Sequence, residues 1–284
     1  MSDIKIAIEQ FDPIDLREMA DVNLMNRVDT KFAFRQDDLL RFLPILAADY
    51  RALKVEGTML PHYESLYFDD STFSFFRDHH NGKADRFKVR IRKYVESNIH
   101  FLEIKHKIKG RTDKRRILTN DFNELQDEKE RDFLRRQLNE DAQLVPTMWN
   151  AFQRITLVSK TSKERLTLDF NIHFHMGEVK RDFDQLIIAE LKQESLDRNS
   201  PFYKLMKKER IRPYRLSKYC IGSVEIYGEE VLKFNRFKKK LLFLNKINHA
   251  SWPIFPAPPQ KSHFSKYHHL VQWRFLRITH AFVH

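Results

Sequence analysis

Residues 86–92 read Arg-Phe-Lys-Val-Arg-Ile-Arg, a cation and an apolar residue in strict alternation. Successive side chains of a β-strand point to opposite faces. The pattern therefore predicts a strand with Arg86, Lys88, Arg90 and Arg92 on one face and Phe87, Val89 and Ile91 on the other. The same period returns over 100–109, and Glu96-Ser97-Asn98 joins the two stretches as a hairpin. Further strands are expected over 27–34, 62–68, 115–118, 150–160, 164–174 and 186–194. Helical spacing marks 37–47, where Leu39, Leu40, Phe42, Leu43 and Leu46 recur at helical intervals and Asp37 and Asp38 occupy the first turn. Short helices are expected over 72–79 and 201–209, a charged one over 121–138, and a last element over 214–219 crossing the barrel mouth. Eight strands with a few helices predict an α+β domain built on an antiparallel sheet or barrel.

After Tyr227 the pattern changes. Residues 229–248 set Val231, Phe234, Leu241, Leu244 and Asn248 at three-to-four spacing among six lysines and arginines, a basic amphipathic helix. Packed on the barrel wall, it needs no partner; its basic face also suits a membrane surface or a membrane-protein partner. A segment rich in Pro, His and aromatics follows from Ser251 and is expected to be poorly ordered. The division is thus 10–227 for the barrel domain and 228–284 for the extension.

Composition narrows the function. The 284 residues carry a net charge of +12, which favours a polyanionic partner. Only 6 glycines are present, and neither a Walker sequence nor a G-x-G-x-x-G occurs, so phosphate recognition must rest on side chains. The single cysteine, Cys220, excludes a disulfide framework and a cysteine zinc cluster. The sequence has no signal-type run at its start and no apolar stretch of membrane-spanning length, so a soluble cytoplasmic protein is expected.

The charged faces recur on strands far apart in sequence. Phe101, Glu103, Lys105, Lys107 and Lys109 align, as do Ile188, Glu190 and Lys192, Arg154 with Thr156, Arg165 with Thr167 and Asp169, and Arg27 with Asp29 and Lys31. A single alternating strand is usually one with a solvated face. Many such strands dominated by cations predict instead a closed sheet whose wet lumen takes a polyanion, because unpaired charge in a dry interior is prohibitive. Carboxylates among the cations would serve a hard divalent cation.

The residues then reach a family. Asn26-Arg27-Val28-Asp29-Thr30-Lys31-Phe32, Tyr67-Phe68-Asp69, Lys88 through Tyr94, Phe101-Leu102-Glu103-Ile104-Lys105, Gly110 through Arg116, Phe152-Gln153-Arg154, Arg165 through Asp169, Ile188 through Lys192 and Leu216-Ser217-Lys218-Tyr219 stand in order. Together they resemble the vacuolar transporter chaperone (VTC) domain of the triphosphate tunnel (CYTH-like) superfamily. The resemblance implies an antiparallel eight-stranded β-barrel tunnel with peripheral helices, which binds ATP and inorganic polyphosphate and moves the ATP γ-phosphate onto a polyphosphate chain with Mn²⁺ or Mg²⁺. It implies Arg90, Arg92, Arg154, Arg165 and Lys218 at the reacting phosphates and Glu190 on the metal. Lys31, Lys105 and Lys114 or Arg115 would bind substrate, and Lys88 and Lys192 join them from the same strand faces. Where the superfamily opens with Glu-x-Glu-x-Lys, this chain has Arg27, Asp29 and Lys31.

Two alternatives stay open: a tripolyphosphate or nucleoside-triphosphate hydrolase in the same tunnel, and a non-catalytic polyphosphate-binding subunit. Nucleic acid is not expected, because aromatics and cations mostly point to opposite strand faces and offer no stacking platform. His173 and His175 share a strand face but lack a third metal ligand, His79-His80 falls in an expected loop, and Cys220 has no neighbouring His–Asp pair.

Overall fold

The computed structural model describes residues 2–20, 27–109, 111–123, 125, 127–138 and 142–249. In chain order the elements are α1 (Ser2–Ile8), β1 (Pro13–Ile14), α2 (Leu16–Ala20), β2 (Val28–Arg35), α3 (Gln36–Leu46), β3 (Tyr50–Leu53), β4 (His62–Asp69), α4 (Ser74–Asn81), β5 (Arg86–Tyr94), β6 (Ile99–Ile108) and β7 (Arg111–Thr119). They continue with α5 (Glu128–Leu138), β8 (Val145–Ser159), β9 (Glu164–Met176), β10 (Val179–Phe183), β11 (Leu186–Gln193), α6 (Pro201–Lys208), α7 (Lys218–Val231) and α8 (Lys238–Asn248).

Eight strands form one curled antiparallel path, β2-β11-β9-β8-β4-β5-β6-β7, as the alternation predicts. β10 extends the sheet beside β9, while the short β3 and β1 attach beside β8. Among the described residues no strand pairing joins β7 back to β2. Beside β2 the irregular segment 211–217 comes in, and the Tyr214 amide donates to the Lys31 carbonyl at 2.7 Å. The expected element over 214–219 is thus an irregular approach followed by the first turn of α7, whose Ncap Ser217 accepts from the Cys220 amide.

The apolar strand faces bury outward, against helices. Phe34, Leu166, Leu168, Ile187 and Ala189 pack with Leu39, Phe42, Leu43 and Leu46 of α3 and Phe202 and Met206 of α6. Val89, Ile91, Leu102 and Ile104 pack with Phe133, Leu134 and Leu138 of α5. The inner face is divided. One part is charged and hollow. The other is apolar and filled by α7, whose Tyr219, Ile221 and Val224 join Ala33, Met148, Phe174 and Ile188. α7 lies so close that a Cβ at Gly222 would collide with Met148 and Phe174.

The continuous helix expected over 229–248 is broken. Gly228 takes φ 68°, the left-handed region open to glycine, α7 ends at Val231, and α8 restarts at Lys238. The break turns Leu232 into the core and leaves Val231 47% exposed. α8 packs Leu241 and Leu244 into the core that α7 shares. His79 and His80, expected in a loop, lie in α4. No described helix is long and apolar enough to cross a membrane. The segment from Ser251 onward lies outside the described residues.

Candidate active site

The charged part of the inner face encloses a cavity of about 870 Å³. Strand alternation supplies its lining two residues at a time: Asp29 and Lys31 from β2, Lys88, Arg90 and Arg92 from β5, Glu103 and Lys105 from β6, and Lys114 and Arg116 from β7. β8 adds Arg154, β9 adds Arg165 and Asp169, β11 adds Glu190 and Lys192, and the start of α7 adds Lys218. Eleven of the twelve residues expected at the site line this one cavity. The exception is Arg115. Lys114 and Arg116 share the inward face of β7, so Arg115 must face outward, where its Nε bonds Asp113 at 2.9 Å with the side chain 61% exposed. Arg116, the missed residue, stands opposite Glu103 in the sheet.

Twelve lysines and arginines line the cavity against five carboxylates. Three of those carboxylates are each gripped by two cations. Glu103 accepts from Arg90 Nε at 2.9 Å and Nη2 at 2.6 Å, and from Lys114. Asp169 accepts a forked pair from Arg154, at 2.6 and 2.8 Å, and a bond from Lys218. Glu190 accepts from Lys31 and pairs with Lys192 at 3.1 Å. Sheet register builds these groups, because Arg90 lies opposite Glu103, Arg154 opposite Asp169 and Lys31 opposite Glu190. The fourth carboxylate, Glu96, binds the His62 amide and Nδ1 at 2.8 Å each, and the fifth, Asp29, pairs with Arg27 at 2.9 Å.

The remaining cations have no such partner. Among the described residues, Lys88, Arg92, Lys105, Arg116 and Arg165 form no ion pair with a carboxylate, and Arg165 Nε is buried without a hydrogen bond. Arg92 donates to Ser65 Oγ at 3.1 Å. Beneath Arg92, Arg154 and Lys218 lies a parallel Tyr63–Phe152 stack, with Lys218 Nζ 4.0 Å from the Phe152 centroid. Arg116 covers Phe101 at 4.2 Å. Aromatics and cations therefore share the inner face here, contrary to the sequence expectation. The signal was the parity of Tyr63 and Tyr67 with Ser65 on β4.

Burial and the neighbouring charges set the protonation equilibria. Burial, opposed by Asp169 and reinforced by Arg154 and Arg92, pushes the Lys218 ammonium down to about 7. Burial brings Lys88, Lys114 and Lys192 each to about 8, with neighbouring cations adding to it. The carboxylates go the other way. Burial alone would raise Glu103, Asp169 and Glu190, but the paired cations outweigh it and hold all three below the usual carboxylate range.

No group of three or more His, Cys, Asp or Glu among the described residues has metal-site geometry. His173 and His175 do not line the cavity; His173 Nδ1 pairs with Asp182 at 2.7 Å and His175 stacks on Trp149. Both Glu190 oxygens are occupied by lysines. This donor set does not fit a metal cage built by protein alone. A phosphate-bound ion would take Glu190 as its one carboxylate ligand by displacing a lysine from it, with phosphate oxygens and water as its other ligands.

Compared with known protein families, residues 26–227 match the VTC domain. The chain belongs to the VTC domain family. The VTC match ends before α8. No curated protein matches the chain. Among solved structures, a protein from Bacillus halodurans described as an adenylate cyclase aligns at TM-score 0.44 and 13% identity, covering 68% of this chain and 94% of that one. A Vibrio parahaemolyticus protein of the same description aligns at TM-score 0.42 and 11% identity, over 69% and 97% of the two chains. A Hippeastrum protein described as an adenylyl cyclase with dominant triphosphatase activity aligns at TM-score 0.44 and 13% identity, over 71% and 98%. At these scores no activity is transferred from them to this VTC domain.

Proposed function

We propose that this VTC domain is an ATP-dependent polyphosphate polymerase, with 10–227 as its catalytic part and 228–284 as an extension. One observation carries the reading: among the described residues a single cavity gathers twelve cations against five carboxylates and leaves five of the cations without a carboxylate partner. That surplus is what a chain of phosphates neutralises. Arg92 and Arg165 bring unspent charge to the γ-phosphate and the chain end. Arg90, Arg154 and Lys218 come already oriented by their carboxylates, so little reorganisation accompanies charge development in the transition state. Lys31, Lys88, Lys105, Lys114 and Lys192 bind the remaining phosphates. Arg115 is dropped from this set and Arg116 replaces it, beside Tyr94 and Phe101, where a nucleobase has aromatic surface to stack on.

In the transfer, a terminal oxygen of the polyphosphate chain attacks the γ-phosphorus of ATP. A new P–O–P bond forms, and the bond to the β-phosphate oxygen breaks with its electron pair, releasing ADP. Phosphoryl transfer of this kind depends on positioning and charge stabilisation. A divalent ion, Mn²⁺ or Mg²⁺, held by Glu190 and the phosphates, would supply further charge neutralisation. Water as nucleophile would benefit from a free base. Glu103, Asp169 and Glu190 are each held by two cations and Glu96 by His62, which favours the phosphate acceptor.

Incubation with ATP and Mn²⁺, followed by gel separation of the products, tests the reading. Long-chain polyphosphate with ADP is expected. Orthophosphate alone would make the protein a hydrolase, and no turnover with retained polyanion affinity would make it a binding subunit. The reading also includes the basic C-terminal helix: α8 exposes Leu242 and Phe243 beside Lys239 and Lys246, a face suited to an anionic membrane surface. Co-sedimentation with vesicles containing anionic lipid, lost in Leu242→Glu/Phe243→Glu, is the expected result.

A further inference from the structure

The cation rows on β5 and β6 do not end where the cavity does. Within the cavity Lys88 stands directly opposite Lys105, and one rung further along the same faces Arg86 stands opposite Lys107. Like charges directly opposed across antiparallel strands are destabilising. No described ion pair involves Lys88, Lys105, Arg86 or Lys107, although the Glu190 carboxylate partly offsets the repulsion at Lys105. Arg86 Nε is buried without a hydrogen bond. Arg215, exposed in the segment entering α7, comes close enough to depress the Lys107 ammonium, after burial and Arg86. It acts likewise on Lys240 of α8. Arg86, Lys107 and Arg215 are not part of the cavity lining.

The opposite end of the cavity is different in kind. There β5 and β6 finish in Tyr94 opposite Ile99, beside Phe101, with Ile99 40% exposed. A polyanion has no reason to follow that end, and every reason to follow the other.

We propose that Arg86, Lys107 and Arg215 form an external anion track, continuous with the Lys88–Lys105 rung, that holds the part of a phosphate chain too long for the cavity. The inference rests on the polyphosphate reading of the cavity and adds to it a direction: the chain leaves by the Arg86 end and the nucleotide lies toward the Tyr94 end. Short ligands never reach the track, and long ones do.

The test compares the full chain with its Arg86→Gln/Lys107→Gln/Arg215→Gln variant. Two probes are used, inorganic tripolyphosphate and end-labelled polyphosphate of about a hundred phosphates, each titrated across a range of salt. Loss of three cation contacts should flatten the slope of log affinity against log salt by about 2 for the long chain, on the counterion release found for flexible polyanions. Tripolyphosphate affinity should stay within about twofold. An unchanged long-chain slope would overturn the track, and so would an equal loss for both probes, which would make these residues part of the cavity. Failure of the unaltered protein to bind tripolyphosphate would instead sink the reading of the cavity itself. Melting temperature provides a folding control: removing opposed like charges should leave it equal or higher, and a marked fall would mean that the three cations serve internal contacts.

Discussion

Glu103, Asp169 and Glu190 look at first like catalytic bases, and their neighbours say otherwise. Each spends its charge orienting two cations, and the lysines carry the pH dependence. Lys218 titrates near 7 when folded, against about 10.4 when unfolded. Between those values the unfolded chain binds more protons, so stability rises with pH through that window. Lys88, Lys114 and Lys192 act the same way from about 8 upward. Anion binding has the opposite sign, because the same lysines lose the charge that attracts phosphate. Between pH 7 and 9.5, the melting temperature of the free protein should therefore rise while tripolyphosphate affinity falls; thermal scans and titration calorimetry over that range would show it, and parallel trends would contradict it. Arg92→Ala, which removes a charged contact to the reacting phosphate, should cost about 1.5–3 kcal/mol of transition-state binding, one to two decades in turnover. Glu190→Ala should cost a similar factor, with turnover remaining low at raised Mn²⁺. Wild-type turnover in both variants would refute the assignment. Arg115→Ala should leave turnover unchanged while Arg116→Ala weakens ATP binding; the two neighbours differ only in the strand face they occupy.

At the scale of elements, what was legible followed from periodicity. β5, β6, β9 and β11 alternate so regularly that their inward residues could be named one by one, and the cations so named line the cavity, apart from Arg86, Lys107 and Lys109. Arg115 was misread because motif alignment, uncertain by one residue, competed with parity, and parity decides direction in a strand. β1 and β3 were missed because strands of 2 and 4 residues carry too few alternations to register. The long helix over 229–248 was misread because its three-to-four spacing runs across the non-helical stretch 232–237. Gly222 carries a different signal, since no periodic pattern reveals that a helix touches the sheet beneath it. Gly222→Val should destabilise by about 1–3 kcal/mol, the range for overpacking a filled interior, measured as a lower denaturation midpoint. A neutral result would mean that α7 sits further from β8 and β9 than described.

Over the whole molecule, apolar faces turned outward under helices and charged faces turned inward invert the usual arrangement of a water-soluble sheet. The inversion was visible in the sequence as cation-rich faces on distant strands. What the sequence could not give was the division of the inner face between α7 and the hollow, because both halves are built from strands of the same period. Repulsion within the hollow makes the empty protein less stable than the filled one. Saturating tripolyphosphate, at a hundred times its dissociation constant, should add about 2.7 kcal/mol to stability, visible as a higher melting temperature that added salt erodes. The absence of such a shift would count against the tunnel.

The wall between β7 and β2 has one further consequence. Where the other strands are laced to their neighbours, among the described residues no pairing laces this seam, and the segment 211–217 is bonded on its β2 side through Tyr214 and Lys31. Lys114 and Arg116 face the hollow from one side of the seam and Lys31 from the other. A phosphate chain lying between them is then a clasp as well as a cargo, and its arrival should slow amide deuterium uptake along 111–119 and 211–217 more than anywhere on β8 or β9.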